Sequence, residues 1–128
     1  KQPVLGICLG MQLLFAHSTE GDVELLGLLH GQIKGFDPAS TPGPVPHMGW
    51  HDVTLTGEHP LLAGIDDHSY FYFVHGYYAP VTDAAIGTCS YGAEFAAIVA
   101  QGNITGCQFH PERSGAPGAR LLQNFLQL

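Results

Sequence analysis

The sequence is poor in basic side chains. Four lysine and arginine residues stand against eleven acidic ones, which gives a formal charge of −7. This charge repels the phosphate backbone of nucleic acids and the anionic inner face of membranes, so we expect neither as a partner. No apolar run approaches the ~20 residues that cross a bilayer, and no charged and then apolar leader precedes the first predicted strand. A soluble, cytoplasmic protein is therefore expected.

Cysteine is also scarce. Cys8, Cys89 and Cys107 are too few for a disulfide framework, and no two have the C-x-x-C spacing of a zinc or redox site. Cys89 and Cys107 fall in alternating apolar stretches, where a buried and inert thiol is expected. Only Cys8 has neighbours that suggest chemistry.

Histidine is more frequent, and one pair has a spacing that is found in metal sites. His47 and His51 have the i, i+4 spacing of the zinc-binding histidines of some helices. Pro46 and Gly49, however, oppose the helix that such a pair requires. We therefore predict no metal site, and the sequence indicates no cofactor.

The length and the apolar content suit one domain. The chain has 128 residues, of which 45% are hydrophobic, and this is enough for one core but argues against a second domain. Residues 1–128 are therefore expected to form a single domain. In the first half of the chain, the apolar patterns predict a strand at 3–7, a helix that includes residues 9–15, one or two bent strands within 25–36 and a loop at 37–46. In the second half they predict strands at 51–55 and 70–74 and a helical turn within 59–65. A hairpin of 95–101 and 104–109 and a closing helix around 121–126 complete the prediction.

The segment Gly6-Ile7-Cys8-Leu9-Gly10 has the pattern of a nucleophile elbow. A nucleophile lies between two glycines where a strand gives way to a helix, and the strained turn leaves little room for neighbouring Cβ atoms. The first turn of the helix favours a thiolate, and the N–H of Leu9 can face an oxyanion on the attacked carbonyl. A buried structural cysteine between packing glycines accounts for this segment equally well when it is taken alone.

A second segment, from Gln108 to Ser114, changes that balance. Strand alternation predicts the side chains of His110 and Glu112 on one face, where the carboxylate can orient and charge-stabilise the imidazole. Pro111 has no N–H, which predicts that His110 lies at the end of a strand, the place where open sheets carry their active sites. A lone His-x-Glu is more often structural, but together with the elbow it indicates a Cys8, His110 and Glu112 triad.

The two segments resemble those of the class I (triad) glutamine amidotransferases. The similarity rests on Gly-Ile-Cys-Leu-Gly-Met-Gln at 6–12 and Gly-Cys-Gln-Phe-His-Pro-Glu-Arg-Ser at 106–114. Within that family, Pro-His-Met-Gly-Trp at 46–50 and Tyr-Phe-Tyr-Phe-Val-His at 70–75 resemble the glutaminase subunits of imidazole glycerol phosphate synthases. The resemblance implies an α/β domain of the flavodoxin-like, doubly wound type with an added antiparallel portion.

The resemblance also implies roles for individual residues. Cys8 would attack the carboxamide of glutamine, Leu9 would help to hold the oxyanion, and His110 with Glu112 would transfer protons. The residues that match positions gripping the amino-acid end of the substrate are Gly10, Gln12, His75, Gly76 and Tyr77. Those that match a face meeting a barrel-shaped cyclase partner, which consumes the ammonia, are Met48, Trp50 and Tyr72. The aromatic run at 70–73 is, however, first of all typical of a core.

Two features depart from the family pattern. Position 76 is glycine where the family usually has Ser or Thr, which leaves only a backbone contact there. The family domain also has strands and a glycine-rich oxyanion loop before the nucleophile, so we expect this chain to be a fragment that lacks the first strands and has little activity alone. Two alternatives stay open, a stand-alone cysteine hydrolase of γ-glutamyl or peptide bonds and a non-catalytic docking subunit.

Overall fold

The computed structural model describes residues 1–128, which form eleven strands, two α-helices and two short 3₁₀ turns at Pro60–Leu62 and Pro111–Arg113. The α-helices are α1 (Leu9–Gln12) and α2 (Gly115–Leu126). The strands are β1 (Val4–Ile7), β2 (His17–Ser18), β3 (Val23–Glu24), β4 (Gln32–Gly35), β5 (His47–Asp52), β6 (Thr54–Leu55), β7 (Tyr70–His75), β8 (Tyr77–Tyr78), β9 (Ala85–Ser90), β10 (Glu94–Gln101) and β11 (Ile104–Cys107).

The strands form one main sheet and two smaller ones. The main sheet has five strands in the order β1, β11, β10, β9 and β6. The pair β1 and β11 is parallel, whereas the other pairs of this sheet are antiparallel. A four-stranded sheet has the order β3, β2, β4 and β8, and a separate antiparallel ribbon joins β5 to β7.

The parallel pair determines where the two chemical segments leave the sheet. β1 and β11 run in register, with Val4 opposite Ile104 and Ile7 opposite Cys107. The strands therefore end level with each other, and the N–H of Cys8 donates to the Cys107 carbonyl over 2.8 Å. As a result, Cys8 and Gln108 emerge side by side at the carboxyl end of the pair.

The hairpin and the closing helix are confirmed. β10 pairs antiparallel with β11 across the two-residue turn of Gly102 and Asn103, although β11 stops at Cys107 rather than at Phe109. α2 turns Leu121 into the core, as its amphipathic pattern predicts, but Leu126, which belongs to the same apolar pattern, is exposed at the end of the helix.

Two predicted elements differ from the structure. The first helix ends at Gln12, because Leu14 and Phe15 donate to carbonyls only three residues back, which tightens the chain and turns both side chains into the core. The strand predicted at 51–55 is two strands, β5 and β6, and β5 begins at His47. Its six-residue pairing with β7 extends the strand through Gly49, which interrupts the alternating pattern in the sequence.

Apolar side chains cover both faces of the main sheet. A cluster of 16 buried residues includes Phe71, Phe73 and Leu121, and a cluster of nine includes Met11 and Phe15. β10 contributes to both clusters and is irregularly paired between residues 96 and 99. Leu5 and Ile7 of β1 pack against the larger cluster. None of the helices has the length and apolarity needed to cross a membrane.

Candidate active site

Cys8 has the strained backbone of a nucleophile elbow. Its φ is 56° and its ψ is −109°, a conformation that residues other than glycine rarely adopt. A Cβ added at Gly6 would lie 2.6 Å from the Gly10 carbonyl oxygen, so α1 approaches β1 this closely only because Gly6 has no side chain. The tight strand-to-helix turn predicted from the sequence is present.

The predicted need for the second glycine is wrong for this structure. A Cβ added at Gly10 would meet no atom within 4 Å, and Gly10 does not have a positive φ. Gly10 lies on the outer side of the first helical turn, whereas Gly6 faces that turn from the strand. Only one of the two flanking glycines is therefore required by the packing of the described residues.

The thiol of Cys8 lies between an acceptor and a donor. Its Sγ is 3.7 Å from the carbonyl oxygen of Val74 and 3.7 Å from Nε2 of Gln108. Burial raises the pKa of the Cys8 thiol, the Leu9 N–H and the Gln108 amide lower it, and the carboxylate of Glu112 raises it further. Burial is the largest of these effects, so the thiol form is favoured in the structure without substrate.

His110 and Glu112 are in contact, but not through strand alternation. β11 ends three residues before His110, and residues 111–113 form a 3₁₀ turn that brings the two side chains together. Nδ1 of His110 lies 2.9 Å from Oε2 of Glu112. A carboxylate accepts only, so Nδ1 carries the proton and Nε2 presents a lone pair. The predicted pairing is present, and the turn rather than the strand produces it.

β7 places this pair beside the nucleophile. The N–H of His110 donates to the Tyr72 carbonyl over 2.9 Å, and the Cys8 sulfur faces the Val74 carbonyl. Carbonyls two residues apart point to the same side of a strand and lie about 7 Å from each other. Cys8 and His110 therefore border one edge of β7, although no hydrogen bond joins the sulfur to the imidazole ring in this structure.

A cleft of about 160 Å³ opens at the Cys8 sulfur. Its lining includes the predicted substrate-binding residues Gln12, His75, Gly76 and Tyr77, with Leu9, Val74 and Glu20. Gly10 is absent from this lining. Glu20 was not predicted: it follows α1 in a polar stretch, where a carboxylate is typical of any surface, and only the folding back of residues 17–20 brings it to the cleft.

Hydrogen bonds hold the far wall of the cleft. Nε2 of Gln12 donates to the Tyr77 carbonyl and to Oε1 of Gln108, both over 3.0 Å. Nδ1 of His75 also donates to the Tyr77 carbonyl, over 2.9 Å. Both amide protons of Gln12 are thus engaged within the protein, whereas its Oε1 has no protein partner and can accept from a bound molecule.

His75 is buried rather than exposed in the cleft. It is 5% exposed, and its Nε2 accepts a hydrogen bond from Nδ1 of His47 over 3.0 Å. Burial lowers the pKa of both His47 and His75 to about 4, so both rings are neutral near pH 7. No group of three or more His, Cys, Asp and Glu side chains is arranged to hold a metal ion.

The ribbon of β5 and β7 has one buried and one outward face. Phe71 and Phe73 are fully buried, whereas Met48 is 63% and Trp50 55% exposed. Trp50 and Tyr72 pair across the strands on the outward face, with ring centroids 5.8 Å apart. The aromatic run is therefore core at Phe71 and Phe73 and exposed surface on the other side, and the role of Met48, Trp50 and Tyr72 in meeting a partner stays a prediction.

The whole chain matches one family model, Glutamine amidotransferase class-I, over residues 1–128. The chain belongs to the class-I glutamine amidotransferase family. The resemblance of the two chemical segments to this family is therefore confirmed.

The curated relatives of this amidotransferase chain include bacterial subunits of one synthase. Imidazole glycerol phosphate synthase subunit HisH of Xanthomonas euvesicatoria pv. vesicatoria (strain 85-10) is 53% identical over 126 residues, which cover 98% of this chain and 62% of the relative. The same subunit of Xylella fastidiosa (strain Temecula1) is 52% identical with the same coverage. The chain thus spans 62% of the length of these relatives.

Solved structures share the fold of this amidotransferase chain. A glutamine amidotransferase crystal structure has a TM-score of 0.67 at 18% identity, covering 98% of this chain and 59% of that one. A glutamine amidotransferase from Thermotoga maritima has a TM-score of 0.63 at 20% identity, with 98% of this chain and 47% of that one covered. These similarities confirm the predicted α/β fold of the family.

Proposed function

We propose that the intact protein hydrolyses glutamine to glutamate and ammonia through a thioester on Cys8, with residues 1–128 forming one amidotransferase domain. The observation that carries the proposal is the elbow at Cys8, which opens into a cleft, together with the hydrogen-bonded pair of His110 and Glu112 beside the same edge of β7. The identity of more than half of the aligned residues with synthase subunits of the same family supports it.

The side chains divide the chemistry between them. His110, with its proton on Nδ1, takes the Cys8 thiol proton on Nε2 as the sulfur attacks the carboxamide carbon. The resulting oxyanion is stabilised by the N–H of Leu9, which has no acceptor inside the helix because it is the first helical residue. His110 then protonates the amide nitrogen, which leaves as ammonia as the thioester forms. It later takes a proton from the water that attacks the thioester and returns it to the Cys8 sulfur as glutamate departs. Glu112 orients and stabilises the charged imidazole.

The cleft suits the amino-acid end of glutamine. Oε1 of Gln12 is free to accept, and Glu20 adds a carboxylate, so both can receive hydrogen bonds from the ammonium group of the substrate. The backbone at Gly76 and Tyr77 can contact the substrate without a side chain at position 76. These groups would hold the ammonium end of a free amino acid.

The released ammonia is proposed to pass to a cyclase partner that makes imidazole glycerol phosphate in histidine biosynthesis. Met48, Trp50 and Tyr72 lie on the outward face of the β5 and β7 ribbon, and Val74 continues that face into the cleft lining. A barrel-shaped partner on this face would meet the ammonia where it forms. The complex would be a cytoplasmic heterodimer.

Labelling and turnover together test this function. The intact gene product is treated with an electrophilic glutamine analogue, and glutamine hydrolysis is measured with and without the cyclase. We expect labelling at Cys8, none in a Cys8→Ser variant, and hydrolysis that requires the partner. Labelling with full turnover in its absence would indicate the stand-alone hydrolase, and no labelling would indicate the docking subunit.

A further inference from the structure

Gln108 is a wholly buried polar side chain that the proposed mechanism does not use. It follows β11 directly, is 0% exposed, and leaves the sheet next to Cys8 because β1 and β11 end level. A carboxamide in such a place has to find partners for both its oxygen and its nitrogen, since an unpaired buried amide costs about 1–3 kcal/mol. Its partners are Gln12 and Cys8.

The network fixes which way the amide of Gln108 points. The Tyr77 carbonyl can only accept, so the atom of Gln12 that faces it is the nitrogen. The same nitrogen lies 3.0 Å from Gln108, which must therefore present its oxygen there. Nε2 of Gln108 is left to face the Cys8 sulfur at 3.7 Å, so it is a donor to the nucleophile.

A donor in this position acts differently on the two forms of the sulfur. The thiol can donate to the Val74 carbonyl and accept from Gln108, whereas the thiolate can only accept. The thiolate thus loses its interaction with Val74 and depends on the Leu9 N–H and the Gln108 amide. In a buried site with few charges to help, one amide donor has a measurable effect.

We propose that Gln108 is a positioning residue that holds the Cys8 sulfur, stabilises its thiolate, and links it through Gln12 to the Tyr77 carbonyl across the cleft. Its importance for glutamine hydrolysis rests on the proposed function, but the hydrogen bond to the sulfur does not. The shape of the cleft and the ionisation of the nucleophile would then be set by one chain of three hydrogen bonds.

The reactivity of Cys8 tests the proposal without any substrate. Alkylation of Cys8 by iodoacetamide is followed against pH in the intact gene product, resolved by peptide mass spectrometry. Gln108→Met removes the donor at similar volume, and Gln108→Asn keeps an amide but withdraws it by one methylene group. The matched control is Thr105→Val on β11, the strand that Gln108 follows. It removes the hydrogen bond that the hydroxyl of the buried Thr105 donates to the Val4 carbonyl.

The expected result is a pH-dependent loss. At pH 7, Cys8 in both Gln108 variants should be alkylated about two- to tenfold more slowly, because one hydrogen bond to the thiolate is lost. At high pH, where Cys8 is ionised in every variant, both variants should reach the wild-type rate. The control should follow the wild-type curve. Unchanged curves, a loss that is equal at all pH values, or the same loss in Thr105→Val would overturn the proposal.

If both Gln108 variants fail to fold, a measurement on Gln108 in the wild-type protein tests the proposal instead. The side-chain amide resonances of Gln108 are followed by NMR against pH. We expect their chemical shifts to change with pH at the same midpoint as the rate of Cys8 alkylation, and to stay constant in Cys8→Ser. Chemical shifts that do not change at this pH midpoint would overturn the proposal. Failure of the proposed function would look different, because glutamine turnover would be absent while the coupling of Gln108 to Cys8 remained.

Discussion

His47 and His75 are directly opposite residues of β5 and β7, and their rings share a 3.0 Å hydrogen bond in the core. Nδ1 of His75 donates to the Tyr77 carbonyl, so its Nε2 must accept from His47. Stacking on Tyr91, with ring centroids 4.1 Å apart, encloses His47 further. The pair therefore joins the ribbon to the wall of the cleft through two neutral rings.

We expect this pair to make the fold sensitive to acid. Burial lowers both pKa values from 6.5 to about 4, so between these pH values the unfolded chain binds protons that the folded chain does not. The free energy of unfolding should be insensitive to the pair above pH 6.5 and fall as the pH drops toward 4, by up to about 1.4 kcal/mol per pH unit for each ring. Urea unfolding at a series of pH values measures it.

Two variants isolate the contribution of the pair. His47→Phe keeps an aromatic ring but removes one titrating group, so the slope between pH 6.5 and 4 should become shallower while stability at pH 7 falls by about 1–3 kcal/mol. Thr105→Val should lower stability by a similar amount at every pH. An unchanged slope in His47→Phe would show that the pH dependence arises elsewhere.

The contact of His110 with Glu112 predicts a catalytic defect. Glu112→Gln removes the negative charge that stabilises the protonated imidazole. An amide can also donate, so it does not require the proton of His110 to be on Nδ1. We therefore expect kcat for glutamine to fall about 10- to 100-fold. Circular dichroism should be unchanged, because the Glu112 side chain is half exposed. Glu58→Gln, at an exposed position, is the matched control, and equal kcat values for the two variants would contradict the role of Glu112.

The two glycines of the elbow should respond differently to alanine. Gly6→Ala places a methyl group against the backbone of Gly10, so we expect the protein to lose about 3 kcal/mol of stability or to fail to fold. Gly10→Ala meets open space in a helical turn and should be neutral or stabilising by up to about 1 kcal/mol. Thermal unfolding of both variants measures this, and equal effects would be inconsistent with the close approach of α1 to β1.

The outward face of the ribbon should carry binding energy for the cyclase. Trp50→Ala removes an exposed aromatic side chain that contacts Tyr72, and we expect binding to weaken by about 2 kcal/mol, roughly 30-fold in Kd. Leu126→Ala removes an apolar side chain that is 78% exposed on α2 and should have no effect. Isothermal titration calorimetry measures the Kd of each variant for the cyclase. An unaltered Kd for Trp50→Ala would place the interface elsewhere.

Glu20 predicts a loss of substrate affinity that depends on one group of the substrate. If its carboxylate receives the ammonium group of glutamine, Glu20→Gln should raise KM roughly 10- to 100-fold. Glu24→Gln, at an exposed position on β3, should not. With glutaramate, which is glutamine without its amino group, Glu20→Gln and the wild type should react alike, and a difference that persists there would refute the assignment.

The chemistry of the site could be predicted from the sequence because its strongest signals are local. The elbow glycine at position 6 reports a backbone turn that only a few residue types permit. The spacing of His110 and Glu112 indicated their contact, although the 3₁₀ turn at 111–113 produces it and strand alternation does not. The contribution of Gln108 could not be predicted, since a glutamine after a strand has no pattern of its own. Glu20 gave no signal for the same reason, because a surface carboxylate and a cleft carboxylate have identical neighbours along the chain.

The sequence by itself determined the tight turn at Cys8, the hairpin at 102–103 and the closing helix, and it indicated the pairing of His110 with Glu112, because turns and amphipathic periods are short-range properties. The tertiary structure alone decided that β1 pairs in parallel with β11 about a hundred residues later, and that β7 runs past both. Pairings between distant strands depend on packing that leaves no local trace, and the level ends of β1 and β11 are what place Cys8 beside Gln108.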